Sequence, residues 1–183
     1  YEVEIERDQT LITGDHGIFR QEENEAEVIG NVFIQRFGDQ YTADKGNLNL
    51  DTGEGTLNHT TYKLEANQAQ GTANRIDLVS DDKINIFKGT YSTCEGTDPD
   101  WYLKSKKLHL DDGKNAGYAT SPVLYFKDVP ILAAPAMTFP VKNERKSGFL
   151  PPTIGMTSKS GLEISVPYYF NLAPNYDLTL TPN

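Results

Sequence analysis

The stretch Ile76-Asp77-Leu78-Val79-Ser80-Asp81-Asp82-Lys83-Ile84-Asn85-Ile86 carries the pattern that decides the fold. Apolar and polar residues alternate on both sides of an Asp-Asp pair. That is the period of two expected when one face of a strand meets a core and a turn joins two strands. The alternation recurs outward in Val28-x-Gly30-x-Val32-x-Ile34, Leu48-x-Leu50, Tyr62-x-Leu64-x-Ala66 and Leu108-x-Leu110. Gly-Asp, Asn-Gln, Asp-Thr-Gly and Asp-Asp-Gly clusters separate these runs and read as turns, because Asp and Asn bond their own backbone and Gly adopts left-handed angles. With no comparable helical stripe, the expected class is all-β.

A weak internal repeat supports this reading. Thr13-Gly14-Asp15-His16-Gly17-Ile18-Phe19, Thr42-Ala43-Asp44-Lys45-Gly46-Asn47-Leu48 and Thr72-Ala73-Asn74-Arg75-Ile76-Asp77-Leu78 share small, acidic or amide, and apolar positions in one order. A fixed period of strand pairs suggests a stacked architecture, either a solenoid or an open jelly roll.

Composition excludes several function classes. The 183 residues suffice for one sizeable core with an appendage, and no segment approaches the ~20 apolar residues of a membrane helix. Any membrane contact must come from strands. The formal charge of −9 makes nucleic acid a poor partner, since phosphate-backbone binding needs cations that release counterions. Cys94 is the single cysteine, so no disulfide forms within the chain and cysteine-based zinc sites are ruled out. The start, Tyr1-Glu2-Val3-Glu4, lacks a signal region and is read as that of a mature protein or an excised piece.

No catalytic residue, metal site or cofactor is expected. His16, His59 and His109 stand far apart without ligand spacing, and Asp81-Asp82 and Asp111-Asp112 have turn contexts that explain them without acid-base work. Gly53-Glu54-Gly55 lacks the rest of a phosphate loop.

The character of the chain changes near residue 120. Ser121 to Pro140 is punctuated by prolines, a charged patch follows from Lys142 to Lys146, and this region reads as a linker. Beyond it, Leu162-Glu163-Ile164-Ser165-Val166 and Leu178-Thr179-Leu180-Thr181 alternate as transmembrane strands do between lipid and a wet lumen, although a soluble sheet would alternate equally.

The C-terminal third also carries specific motifs. Val129-Pro130-Ile131, Phe139-Pro140, Arg145-Lys146-Ser147-Gly148-Phe149-Leu150-Pro151-Pro152 and Pro167-Tyr168-Tyr169-Phe170-Asn171-Leu172-Ala173-Pro174-Asn175-Tyr176-Asp177 closely resemble the LptD family of lipopolysaccharide (LPS) assembly proteins. Gly89-Thr90-Tyr91-Ser92-Thr93-Cys94, followed by Trp101, resembles it too, and the resemblance is looser upstream. Pro151 departs from the pattern, where an aliphatic residue is usual.

The resemblance implies an open, twisted β-jelly roll of the periplasmic LPS-transport type over 1–120, a Pro-rich connection over 121–146, and the first strands of a transmembrane β-barrel over 147–183, with the sequence stopping after about two of them. It further implies a non-enzymatic role in outer-membrane LPS assembly. The partners would be LPS itself, a plug lipoprotein LptE inside the barrel and the periplasmic bridge protein LptA at the N-terminal sheet edge, for which Val3 to Ile5 and Thr10 to Ile12 are candidates.

On that basis Val32, Ile34, Leu48, Leu50, Leu64, Ile76, Leu78, Ile84 and Ile86 are the candidate acyl-chain groove. The residues alone would suggest an ordinary core; in an unclosed roll one set of side chains serves as both. The acidic surface suggests that the anionic head group is repelled into solvent. Lys104, Lys106 and Lys107, or Lys142, Arg145 and Lys146, are competing phosphate contacts, with solvated charge the plainer account. Pro152 and Pro167 match the family's gate prolines, which would loosen strand pairing for lateral opening. Cys94 matches a cysteine that bonds to one near the barrel's end, outside this chain. The alternative from another class is a carbohydrate-binding or polysaccharide-lyase-like β module with Asp, Tyr and Trp101 along a sugar groove. A polar, aromatic groove would favour that reading and an aliphatic one lipid transport.

Overall fold

A computed structural model describes residues 3–7, 9–96, 98–142, 147–149, 153–157, 161–165, 167–173 and 175–181. It is all-β and divides into two compact units, Tyr1–Lys142 and Asn143–Asn183. The first contains β1 (Val3–Arg7), β2 (Thr10–Gly14), β3 (His16–Arg20), β4 (Glu25–Arg36), β5 (Asp39–Asn49), β6 (Gly55–Lys63) and β7 (Gln70–Ser80). There follow β8 (Lys83–Tyr91), β9 (Trp101–Asp111), β10 (Ala116–Thr120), β11 (Val123–Phe126), β12 (Val129–Ala133) and β13 (Ala136–Phe139).

These form one 13-stranded antiparallel sheet, mostly in sequence order. Among the described residues its end strands, β1 and β3 on one side and β12 and β13 on the other, each pair on one side only, so the sheet is open. This is the jelly-roll topology expected. The stretch 121–139, which its prolines give the look of a linker, supplies β11 to β13. Thr10 to Ile12 is corrected as an edge candidate: β1 covers β2 on one side and β4 on the other, leaving β1 as the edge of that layer.

Each long strand bends once near its middle, and the bend is written in burial. Inward residues alternate, then skip two, then alternate again: Tyr41-x-Ala43-x-x-Gly46-x-Leu48 in β5, Ile84-x-Ile86-x-x-Gly89-x-Tyr91 in β8, Leu103-x-Ser105-x-x-Leu108-x-Leu110 in β9. Two successive outward residues let the backbone turn a corner while the same face stays inside. Asn31, His59, Lys88 and Ser121 lie at these corners with φ of 45°, 49°, 48° and 50°. β10 and β11 are likewise one strand broken at Ser121-Pro122, since both pair with β9 in a single continuous register.

The corners align into a crease that folds the sheet into two layers. Gly46 lies five residues from Tyr41, about 16 Å along a straight strand. Ile34 pairs with Tyr41, yet a Cβ on Gly46 would lie 3.7 Å from Ile34 Cδ1. Only a folded sheet brings them together. The repeat is the crease motif: Thr13, Thr42 and Thr72 fall on one rung through Phe33 and Thr61, and Asp15, Asp44 and Asn74 follow at the corner.

The second unit contains β14 (Gly148–Phe149), β15 (Thr153–Thr157), β16 (Gly161–Ser165), β17 (Tyr168–Ala173) and β18 (Tyr176–Leu180). β14, β17 and β18 form one sheet, and β15 and β16 another.

Candidate functional site: the apolar interior of the roll

Rungs of paired residues run through the interior from β4 to β13. Val28, Gly46, Leu57, Ile76, Ile86, Leu108, Ala119 and Met137 succeed one another across seven pairings. A parallel rung in the same layer runs Ala26, Leu48, Gly55, Leu78, Ile84, Leu110, Gly117 and Phe139. In the other layer Ile5, Ile12, Ile34, Tyr41 and Tyr62 form one rung, and Tyr91, Leu103 and Leu124 another, which ends at the exposed Leu132 on the edge strand. The result is a continuous, mainly aliphatic strip.

Eight of the nine candidate groove residues lie in this interior: Val32, Ile34, Leu48, Leu64, Ile76, Leu78, Ile84 and Ile86 are buried, and Leu50 is half-buried against the same cluster. The candidate groove set leaves out Leu57, Leu103, Leu108 and Leu110, along with Ile12, Tyr41, Tyr62 and Tyr91. Leu108-x-Leu110 did alternate visibly. So did Tyr62-x-Leu64, whereas Tyr41, Leu57, Tyr91 and Leu103 are hidden where inward positions change parity at the crease. Ala66 is exposed in the turn after β6, and Ala69 takes the buried place there.

The interior is closed in this conformation: Leu57, Ile76, Ile86 and Leu108 are 0 % exposed. Among the described residues the charged ones it buries are Arg36 and Asp111, both at strand ends. Burial pushes the Tyr41 and Tyr62 hydroxyls well above their ordinary range and raises Tyr91 to about 12. Tyr91 and Phe139, from opposite layers, meet with ring centroids 5.2 Å apart. Trp101 packs half-buried against the cluster.

Opposite the crease, the strand ends of the two layers meet along a mouth. Arg36, at the end of β4, has its side chain 6 % exposed and donates from Nη1 to the Gly53 carbonyl at 2.9 Å and from Nη2 to Asp81. Gly53 has φ +69°, and a Cβ there would strike the guanidinium. Arg7 pairs with Asp51 at 2.8 Å. Further along, the Asn67 amide donates to the Val141 carbonyl. A cavity of about 140 Å³ opens among Arg7, Arg36, Leu48, Leu50, Asp51 and Asp81.

The remaining candidates fall elsewhere. Cys94 is half-buried after β8, with its N–H donating to Ser92 Oγ at 3.1 Å and its carbonyl accepting from Gln70 Nε2 at 2.7 Å. Pro167 directly precedes β17; Pro152, Arg145 and Lys146 lie outside the described residues. Lys142 pairs with Asp112 at 3.1 Å, Lys107 lies over the Phe87 ring at 5.3 Å, and Lys104 and Lys106 are exposed. Of the histidines, His16 lies exposed on edge strand β3, His59 at the crease beside Asp44, and His109 bonds Asn85. Among the described residues no His, Cys, Asp or Glu cluster is arranged to hold a metal.

In the second unit, β17 and β18 sort their side chains by face. Tyr168 pairs with Leu180 and Phe170 with Leu178 on one face; Tyr169 pairs with Thr179 and Asn171 with Asp177 on the other. Leu178 and Leu180 are 44 % and 51 % exposed.

Sequence comparison agrees with this architecture. A family model described as LptD protein matches residues 118–183. The LPS-assembly protein LptD of Bordetella pertussis is 45 % identical over 179 residues, 98 % of this chain and 23 % of that protein. Those of an Acidovorax species and of Burkholderia lata are 39 % and 38 % identical, over 98 % of this chain and 22 % and 23 % of theirs. The chain thus spans under a quarter of the length of these relatives, and it belongs to the LptD family.

Proposed function

We propose that this chain is the part of an LPS-assembly protein that receives LPS in the periplasm and leads it to the outer membrane, without enzymatic chemistry. The observation that carries the reading is the interior strip of paired aliphatic residues running uninterrupted from β4 to β13. Keeping acyl chains out of water is worth ~0.8 kcal/mol per methylene, so a carrier needs such a strip along its length. Acyl chains enter by parting the two layers, which the open sheet allows because its end strands are not joined. The mainly aliphatic composition favours lipid over the carbohydrate alternative.

The other parts take roles consistent with this. Strand β1, paired among the described residues only with β2, is the edge that a bridge protein of the LptA kind extends by strand addition. The apolar face of Tyr168, Phe170, Leu178 and Leu180 meets lipid as the start of a barrel holding an LptE-type plug, and the polar face meets its lumen. Pro167, beside β17, weakens pairing at a lateral gate together with Pro152. Cys94 bonds to a cysteine outside this chain and fixes the roll's orientation.

Photo-crosslinking from probes at Ile34, Leu64 and Ile86, in cells making labelled LPS, tests the conduit, with exposed Lys45 as the outward control. Adducts from the three inward positions alone are expected. Their absence in a folded, outer-membrane-inserted protein would reduce the strip to a structural core.

A further inference from the structure

The interior that should take acyl chains is fully covered, so something must hold the layers together and let them go. The covalent crease fixes one side. On the other, Arg7 and Arg36 make the cross-layer links at the β1–β4 end of the mouth, Arg7 to Asp51 and Arg36 to the Gly53 carbonyl and Asp81, while Asn67 to the Val141 carbonyl ties the far end. Arg7 follows from the β1 end and Arg36 from the β4 end of one layer, whereas Asp51, Gly53 and Asp81 sit in turns of the other.

Three features make this more than a pair of surface ion pairs. Arg36 is buried while its partner Asp81 is 69 % exposed, so the guanidinium stays fixed as the carboxylate leaves. Both guanidinia line one cavity, and the two carboxylates that balance them there, Asp51 and Asp81, are the groups an incoming anion would displace. Leu48 and Leu50 line the same cavity, and Leu48 is a member of the interior rung. A ligand that satisfies all three has an anion attached directly to alkyl chains.

Resting on the lipid-carrier reading above, we infer that Arg7 and Arg36 form a latch across the mouth of the roll, released when the phosphate monoester of an acylated ligand takes their guanidinia from Asp51 and Asp81. A phosphate dianion carries more charge than either carboxylate and presents three oxygens to guanidinium forks, so it competes well for both. Its acyl chains then lie on Leu50 and Leu48 at the entrance to the interior. The exchange couples head-group recognition to opening, and it replaces the expectation from net charge that the head group is merely repelled.

The test uses the full-length protein with spin labels on non-natural residues at exposed Gln9 and Thr52, which flank the mouth in opposite layers. LPS with its phosphates intact should lengthen the distance between the labels, and enzymatically dephosphorylated LPS should leave it unchanged. In the double variant Asp51→Asn, Asp81→Asn, whose sites are exposed enough to spare the fold, half-opening should need several-fold less LPS. Arg7→Gln with Arg36→Gln should widen the mouth without ligand and abolish the dependence on phosphate.

Equal responses to both lipids, or variants that behave as wild type, overturn the latch. Crosslinking at Ile86 separates the two ideas. Adducts that form regardless of phosphate and of these variants leave the conduit standing without a latch, whereas no adducts and no change in distance remove both.

Discussion

The Tyr62 hydroxyl donates a 2.6 Å hydrogen bond to the carbonyl of Thr90, crossing from β6 to β8 past the intervening strand. Gly71 on β7 makes the crossing possible, since a Cβ there would lie 2.1 Å from the Thr90 oxygen and 2.9 Å from the tyrosine hydroxyl. Tyr62→Phe leaves that buried carbonyl without this donor and should cost about 1–3 kcal/mol. Gly71→Ala should cost more, because the obstructing atoms include fixed backbone. Urea unfolding of both variants measures the order.

The crease makes an opposite kind of prediction. Lys88 sits at φ +48°, where a Cβ crowds the following carbonyl at a cost of roughly 1–2 kcal/mol. Lys88→Gly should therefore be neutral or stabilising despite adding unfolded-state freedom, whereas Lys88→Val should be clearly destabilising. Thermal midpoints of the two variants decide it. A destabilised glycine variant would mean that Lys88 contributes through its side chain and not through the corner.

The sequence was legible where a strand segment stays within one layer. Ile76, Leu78, Ile84 and Ile86 alternate cleanly because the hairpin between β7 and β8 lies wholly to one side of the crease. Leu57 and Tyr62 are both buried in β6 but their positions differ by an odd number across the corner at His59, so a period-two reading loses one of them. Thr10 to Ile12 looked like an edge because nothing in β2 announces that β1 folds back over it. Arg36 gave no signal, since its partners stand 17 and 45 residues away and belong to turns that only the folded sheet brings near.

Asp39 links the mouth to pH. Burial raises its carboxyl above the ordinary range, outweighing the Glu65 N–H at 2.8 Å and the Tyr41 hydroxyl at 3.1 Å that favour the charged form, and the charge on Asp112 adds to the rise. A carboxyl with a higher folded than unfolded pKa binds more protons when folded. Its effect favours the fold below the unfolded value of about 3.9, and this gain is lost as pH rises through the raised folded value. Asp39→Asn keeps an acceptor and removes the titration, so it should gain on wild type from acid to neutral pH. Denaturant midpoints across that range test it; a difference that stays constant with pH would sink the argument.

The faces of β17 and β18 give the sharpest test of the membrane assignment. Leu178 projects with Tyr168, Phe170 and Leu180, and Thr179 projects the other way with Tyr169. In a soluble sheet with both faces wet, Leu178→Lys would be nearly free. In a barrel wall it sets an ammonium in hydrocarbon at about 2–4 kcal/mol near the midplane, falling to about 0–1 near the interfaces. Thr179→Lys, facing the lumen, should cost little in either case. The readout is the amount of heat-modifiable, folded full-length protein in outer membranes. Loss with Leu178→Lys and retention with Thr179→Lys is the expected result, because the two substitutions add the same charge to adjacent residues and differ only in the face they occupy. Equal tolerance of both would place β18 away from the hydrocarbon.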